Sequence, residues 1–310
     1  MTKIPGYGKI PQFGSKEFPK HFLKTHLVEI EEKLDGSQFS FRKDEHGKVF
    51  AKSKKTHFTV NDELLATTSP NSLFYGALSH LNKIRDRIPK GYLFRGEVLK
   101  APRHNVLEYG RAPEGNIVLF DVQPEGEWNM RSVAVKHFAE LLGVEAAPLL
   151  GYSVPACPMD VETLKKLVEG DSILGGKREG VVLKCRAVKV QDGYAKCKIV
   201  AESFRERKSD GSRGKRAKVL RASPIESIVA ALTTDARYRK AYQSVRETLN
   251  VDRLEPKDIG PGMKALALDI NLEEQDWIKE QLWQAHRNTI VKKVSADWPD
   301  YVKTGAYHGE

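Results

Sequence analysis

The chain has 310 residues, about twice the length of an ordinary domain, so two domains are expected. Apolar residues at 40% and charged residues at 30%, with no low-complexity tract, exclude collagen-like and wholly disordered classes. A formal net charge of +10 favours a polyanionic partner, and three scattered cysteines argue against a disulfide framework or a structural zinc site.

From the N-terminus, MTKIPGYGKIPQFGSKEF has charges and prolines where a signal peptide needs an apolar run. No later stretch is apolar for the roughly 18 residues a membrane span requires, so a cytoplasmic protein in a reducing compartment is expected. Short runs rich in β-branched and aromatic residues predict strands over 27–42, 48–54, 92–99, 116–122, 180–186 and 195–200. Two amphipathic helices are predicted between them, over 131–142 and 161–168, the second capped by Asp160. Residues 1–204 thus read as one mixed α+β domain.

Between Arg205 and Arg221 eight basic residues stand against Glu206 and Asp210, around the turn-rich SDGSRG. Residues 205–223 read as a basic connector, with Arg205, Arg207, Lys208, Arg213, Lys215 and Arg216 as candidate nucleic-acid contacts. Beyond it, Tyr238, Ala241, Tyr242, Val245 and Leu249 follow helical spacing. Ser223-Pro224 supplies an N-cap and first-turn proline, and Asn271 with Glu274 reads as a second capping box. Trp277 and Trp283 read as core anchors. Residues 224–310 are therefore expected to form a small all-helical domain.

Three tracts carry chemistry. Glu32-Lys33-Leu34-Asp35-Gly36 contains Lys-x-Asp-Gly; Glu179-Gly180-Val181-Val182-Leu183-Lys184 fits Glu-Gly-x-Val-x-Lys; and Lys196-Cys197-Lys198 places two lysines on one face of a strand. In this order they resemble motifs I, IV and V of the covalent nucleotidyltransferases, which include ATP-dependent DNA ligases, RNA ligases and mRNA-capping enzymes. Lys52-Ser53-Lys54, Arg95-Gly96-Glu97 and Leu119-Phe120-Asp121 stand where motifs Ia, III and IIIa are expected. Ser37-Gln38-Phe39 after motif I, Phe204-Arg205-Glu206 after motif V and the helical C-terminal part resemble the RNA ligase 2 family most closely. Gln38 stands where that family usually has Asn, and Lys54, with Lys52 as rival, where it usually has Arg.

The resemblance implies an α+β fold: an N-terminal nucleotidyltransferase domain of the ATP-grasp-like ligase type, with antiparallel sheets and flanking helices, and a helical C-terminal domain. It implies an ATP-dependent RNA ligase that seals 3′-OH and 5′-phosphate ends through lysyl-AMP and an adenylylated 5′ end. ATP and Mg2+ or Mn2+ would be the cofactors. The partner would be a nicked RNA duplex or RNA/DNA hybrid bound by a monomer, in a bacterial or phage-infected cytosol. Lys33 would be the nucleophile, with Glu179, Lys196 and Lys198 catalytic and Glu179 beside the metal. Glu32, Lys54, Glu97, Phe120 and Val182 would contact the nucleotide, Phe120 and Val182 on the two faces of adenine. Asp35 would orient the lysines or meet the nucleic acid, and Gln38 would meet the nucleic acid. An ordinary lysine, with pKa about 10.4, is about 0.1% free amine near pH 7.4, so Lys196 and Lys198 are expected to depress the pKa of Lys33. A DNA ligase without an OB domain, a capping enzyme and an inactive nucleic-acid-binding relative are the alternative readings.

Overall fold

The computed structural model describes residues 4–54, 56–100, 107–126, 130–190, 193–201, 223–249, 251 and 253–303. The chain divides into two units, Met1–Arg205 with Tyr242–Leu254 and Glu206–Ala241 with Glu255–Glu310.

Strand alternation builds the first unit. Its strands are β1 (Val28–Lys33), β2 (Ser37–Lys43), β3 (Val49–Ser53), β4 (His57–Val60), β5 (Tyr92–Val98), β6 (Ile117–Pro124), β7 (Glu145–Ala146), β8 (Leu149–Ser153), β9 (Gly180–Val190) and β10 (Gly193–Val200). They form a four-stranded sheet, β10-β9-β1-β8, and a six-stranded sheet, β4-β3-β2-β5-β6-β7. All pairings are antiparallel except β6 with β7. The helices are α1 (Phe22–Thr25), α2 (Asp62–Thr67), α3 (Tyr75–Lys83), α4 (Ser132–Leu142) and α5 (Val161–Val168).

Each sheet buries one face. Phe39, Phe41, Ala51 and Phe94 of the six-stranded sheet pack with Leu78 and Leu81 of α3 and Val135 and Ala139 of α4. Val28, Ile30, Val181, Leu183 and Cys197 of the four-stranded sheet pack with Leu23 of α1 and Leu164 and Val168 of α5. Burying side chains of this size stabilises the fold by about 1.5–3 kcal/mol each. Because side chains alternate along a strand, the opposite faces carry Lys33, Lys196 and Lys198 on one sheet and Gln38, Ser40 and Arg95 on the other. Polar residues brought together here belong to both sheets.

The expected strand over 27–42 is two strands in different sheets. The chain breaks at Leu34–Gly36, where a Cβ on Gly36 would lie 2.6 Å from the Val98 carbonyl oxygen and 2.8 Å from Glu97 Cγ. The short helix α3 and strands β4, β7 and β8 were not predicted from the sequence.

The second unit contains α6 (Pro224–Leu232), the start of α7 (Asp235–Leu249), α8 (Ile259–Glu273), α9 (Gln275–Val294) and α10 (Trp298–Lys303). Ser223 caps α6 as expected: its hydroxyl accepts from Glu226 N at 3.2 Å, and its own N–H donates to the Glu226 carboxylate at 2.7 Å. The box expected at Asn271 and Glu274 does not form. Asn271 lies inside α8, and the Glu274 carboxylate accepts from Arg237 at 2.6 Å instead. Trp283 is 48% exposed rather than a core anchor. Among the described residues no helix is long and apolar enough to cross a membrane.

At Gly180, where β9 meets β10, an added Cβ would stand 2.1 Å from the Ile199 carbonyl oxygen. Gly180→Ala is expected to lower the stability of the first unit by about 1–3 kcal/mol, read as a lower urea midpoint at unchanged slope.

Candidate active site

Lys33 is the last residue of β1, opposite Gly180 of β9, so the strand ends with its amine beside the residue that precedes Gly180. That residue is Glu179. Lys33 Nζ donates to both Glu179 carboxylate oxygens, at 2.7 and 2.6 Å, and both side chains are partly buried. Burial disfavours the Lys33 charge, but Glu179 and then Glu97 outweigh it and raise the amine above the ordinary lysine value. Burial lifts the carboxyl of Glu97 to about 8 and that of Glu179 to about 7, with Lys33 opposing in both cases. Asp35 adds negative charge to both. The expected depression of Lys33 is therefore not found, because the charges that act most on the amine are carboxylates rather than lysines.

Beside this pair lies a second buried cluster, centred on Asp121. Its carboxylate accepts from Tyr7 at 2.9 Å, from Tyr194 at 2.7 Å, and from Lys184 and Arg186 at 3.3 Å each. Burial opposes the Asp121 charge, yet Lys184, Arg186 and Lys196 hold its carboxyl well below the usual range. Lys184 also pairs with Glu31 at 2.6 Å and Arg186 with Glu29 at 2.7 Å. Lys196 stands opposite Lys184 in the sheet, its Nζ 4.2 Å from the centroid of the Tyr7 ring. Lys198 stands opposite Val182 and helps hold down the Glu179 carboxyl.

The segment before α1 crosses from one sheet to the other. The Ile4 carbonyl accepts from Lys52 at 3.3 Å and the Pro5 carbonyl from Arg95 at 3.4 Å. Further along, Pro11 and Phe13 hydrogen-bond both sides of the Lys198 backbone, at 2.8 and 3.1 Å. Between these ties Tyr7 lies on Phe120, with ring centroids 5.2 Å apart.

The structure thus brings together Lys33, Asp35, Glu97 and Glu179, and, around Tyr7, Phe120 and Lys196. Val182 is buried on the same face of the sheet as Lys198. Glu32 departs from expectation: neighbouring residues of a strand face opposite ways, and Glu32 lies behind the sheet. There it accepts from Ile173 N at 3.1 Å and stands 3.9 Å from Arg178. Lys54 is exposed just past the end of β3, while its rival Lys52 reaches the Ile4 carbonyl. Asp35 accepts from Leu107 N at 3.0 Å, and Gln38, paired with Glu97 across the sheet, donates to Ser40 at 2.7 Å. Arg205, Arg207, Lys208, Arg213, Lys215 and Arg216, with the Phe204-Arg205-Glu206 tract, lie outside the described residues.

Sequence reasoning gave no role to Tyr7, Asp121, Lys184 or Tyr194. Asp121 and Lys184 close two of the motif tracts, so their position was a usable signal; Tyr7 offered none, since its partner Asp121 is 114 residues away.

A family model described as RNA ligase matches residues 26–199. No curated protein matches. Solved structures of a Naegleria gruberi RNA ligase are similar. The form with PPi is 16% identical with a TM-score of 0.44, over 66% of this chain and 58% of that one. A mutant with AMP and Mn is 17% identical with a TM-score of 0.43, over 64% and 56%. The chain thus spans less than two thirds of the length of the ligase it resembles.

Glu97 and Glu179 carry raised pKa values, so between about pH 4.5 and 8 the folded state binds more protons than the unfolded chain. Their contribution to stability is therefore lost as pH rises through that window. The melting temperature of the ligand-free protein is expected to fall from pH 5 to pH 8, and Glu97→Gln to flatten that slope.

Proposed function

The chain belongs to the RNA ligase family, and from that premise we propose that it is an ATP-dependent RNA ligase whose nucleophile is Lys33. The observation that carries the reading is the Lys33 amine held on Glu179, on the same polar sheet face as Lys196 and Lys198. Attack requires the ammonium to give up a proton, and Glu179 is in contact with it. Its carboxyl, lifted to about 7, is suited to take one near neutral pH. The freed amine then attacks the α-phosphorus of ATP: a phosphorus–nitrogen bond forms, the bond to the bridging oxygen breaks, and pyrophosphate leaves. Lys198, with Lys196, would meet the negative charge that builds on the phosphorus oxygens. AMP then passes to a 5′-phosphate, and a 3′-OH displaces it to seal the strand.

Phe120 offers a half-buried ring for adenine, with Val182 as the apolar wall opposite. Glu97 would hold the ribose hydroxyls. A divalent cation would fit beside Glu179, because Asp35, Glu97 and Glu179 gather carboxyl oxygens there and a cation would favour their ionised forms. When bound it would offset phosphate charge. Among the described residues no three His, Cys, Asp or Glu side chains are arranged to hold a metal unaided, so phosphate oxygens would complete its coordination. The nucleic acid is read as a nicked RNA duplex or RNA/DNA hybrid, met near Gln38 and by the basic connector. Residues 1–204, 205–223 and 224–310 are read as catalytic domain, connector and helical domain.

Incubation with labelled ATP followed by denaturing electrophoresis should leave label on the protein, and Lys33→Ala should abolish it. Label retained by that variant would remove Lys33 from the role. Lys198→Ala is expected to slow enzyme-AMP formation by about two orders of magnitude, through lost phosphate stabilisation.

A further inference from the structure

The residues Tyr242–Leu254 group with the first unit, although residues of the second unit precede and follow them in the chain. Gln243 and Val245 are buried, and the Tyr242 hydroxyl accepts from Leu254 N at 3.2 Å. At the end of α7, Glu247 accepts a hydrogen bond from the hydroxyl of Ser37, the first residue of β2. Gln243, one turn back, shares its face of the helix, and Gln243, Arg246 and Glu247 line a small groove with Asn71, Ser72 and Leu73. Ser37 follows Gly36, whose backbone is pressed against Val98 and Glu97, and precedes Gln38. One turn thus carries Lys33 on its upstream side and Gln38 on its downstream side.

Glu247 sets a further carboxylate near Glu97, which already feels Asp35 and Glu179. Adding like charge to such a cluster is unfavourable. A contact kept against that repulsion needs an offsetting gain, and a hydroxyl held by an ionised carboxylate is among the stronger hydrogen bonds. Ser37 is buried, so its hydrogen bond to Glu247 is made largely away from water, where such a bond is stronger.

We propose that Glu247 is a positioning residue of the nucleotidyl-transfer site, clamping Ser37 so that the turn from Asp35 to Gln38 holds Lys33 in line with the phosphorus it attacks. The inference rests on the ligase reading above. It gives the end of α7 a part in the first chemical step, separate from any hold on nucleic acid.

The test uses the full chain as Glu247→Ala, Glu247→Gln, Ser37→Ala and the double alanine variant, scored for enzyme-AMP formation across ATP concentrations and for melting temperature. Either single alanine change is expected to lower the saturated rate about tenfold, about 1.4 kcal/mol, while the ATP concentration at half-maximal rate stays put. The double variant should be no slower than either single one. Glu247→Gln keeps the acceptor and should retain at least half the rate. Additive losses, a glutamine variant as slow as the alanine one, or a rate loss that merely follows a fall in melting temperature would overturn the clamp. Should Glu247→Ala fail to fold, Ser37→Ala and Glu247→Gln still decide the matter. A parent protein that forms no enzyme-AMP overturns the ligase reading itself, whereas an active parent matched by its variants overturns only the role of Glu247.

Discussion

A charged amine held at the end of a strand by a single carboxylate is the constraint on which the rest of the first unit depends. The Lys33–Glu179 pair is partly removed from water, and a pair in that position is stable only when its geometry is good and its surroundings are supplied with further polar partners. Two sheets meet that need. Each spends one face on an apolar core, with α1 and α5 or with α3 and α4, and each carries charged side chains on the other. The glycines beside the pair, Gly36 and Gly180, let backbone approach where a methyl group could not fit, so the amine at the end of β1 and the carboxylate just before β9 converge.

The Asp121 cluster supports the same site by a different balance. Lys184, Arg186 and Lys196 bring positive charge, while Glu29, Glu31 and Asp121 answer it, and Tyr7 and Tyr194 close the remaining acceptor positions. Removing one member would leave an uncompensated buried charge, which costs far more than the net worth of the pair it breaks. Lys196 is held in this network, and the charges that act most on Lys33 are those of Glu179, Glu97 and Asp35, which raise its amine rather than depress it. The site at rest is arranged around carboxylates, and a triphosphate would meet its positive groups on the adjoining strand.

Much of this was legible because strand chemistry is periodic. Lys196 and Lys198 share a face as their spacing required, and the motif tracts fall in register: Lys33 opposite Gly180, Lys198 opposite Val182 and Gln38 opposite Glu97. The same periodicity, applied one residue further, would have set Glu32 behind the sheet, where it meets Ile173 and Arg178. What could not be read was contact across long sequence separations. Tyr7 on Phe120 and Glu247 on Ser37 depend on where distant segments return, and no local pattern records that. The capping box at Ser223 was legible because its two hydrogen bonds lie within one turn, whereas Glu274 was claimed by Arg237 from another helix.

The segment from Ile4 to Phe13 has a bearing on solubility. Strand β10 is the outer strand of its sheet, and an outer strand with free backbone groups is a template for pairing with a second chain. Pro11 and Phe13 occupy the outward N–H and C=O of Lys198, and the short parallel bridge at Gln12 covers that stretch of edge. A deletion that removed these residues would bare the sheet edge at Lys198. Self-association through that edge would then accompany the loss of Tyr7, so any change of behaviour in such a shortened chain would register a bared edge as much as a missing side chain.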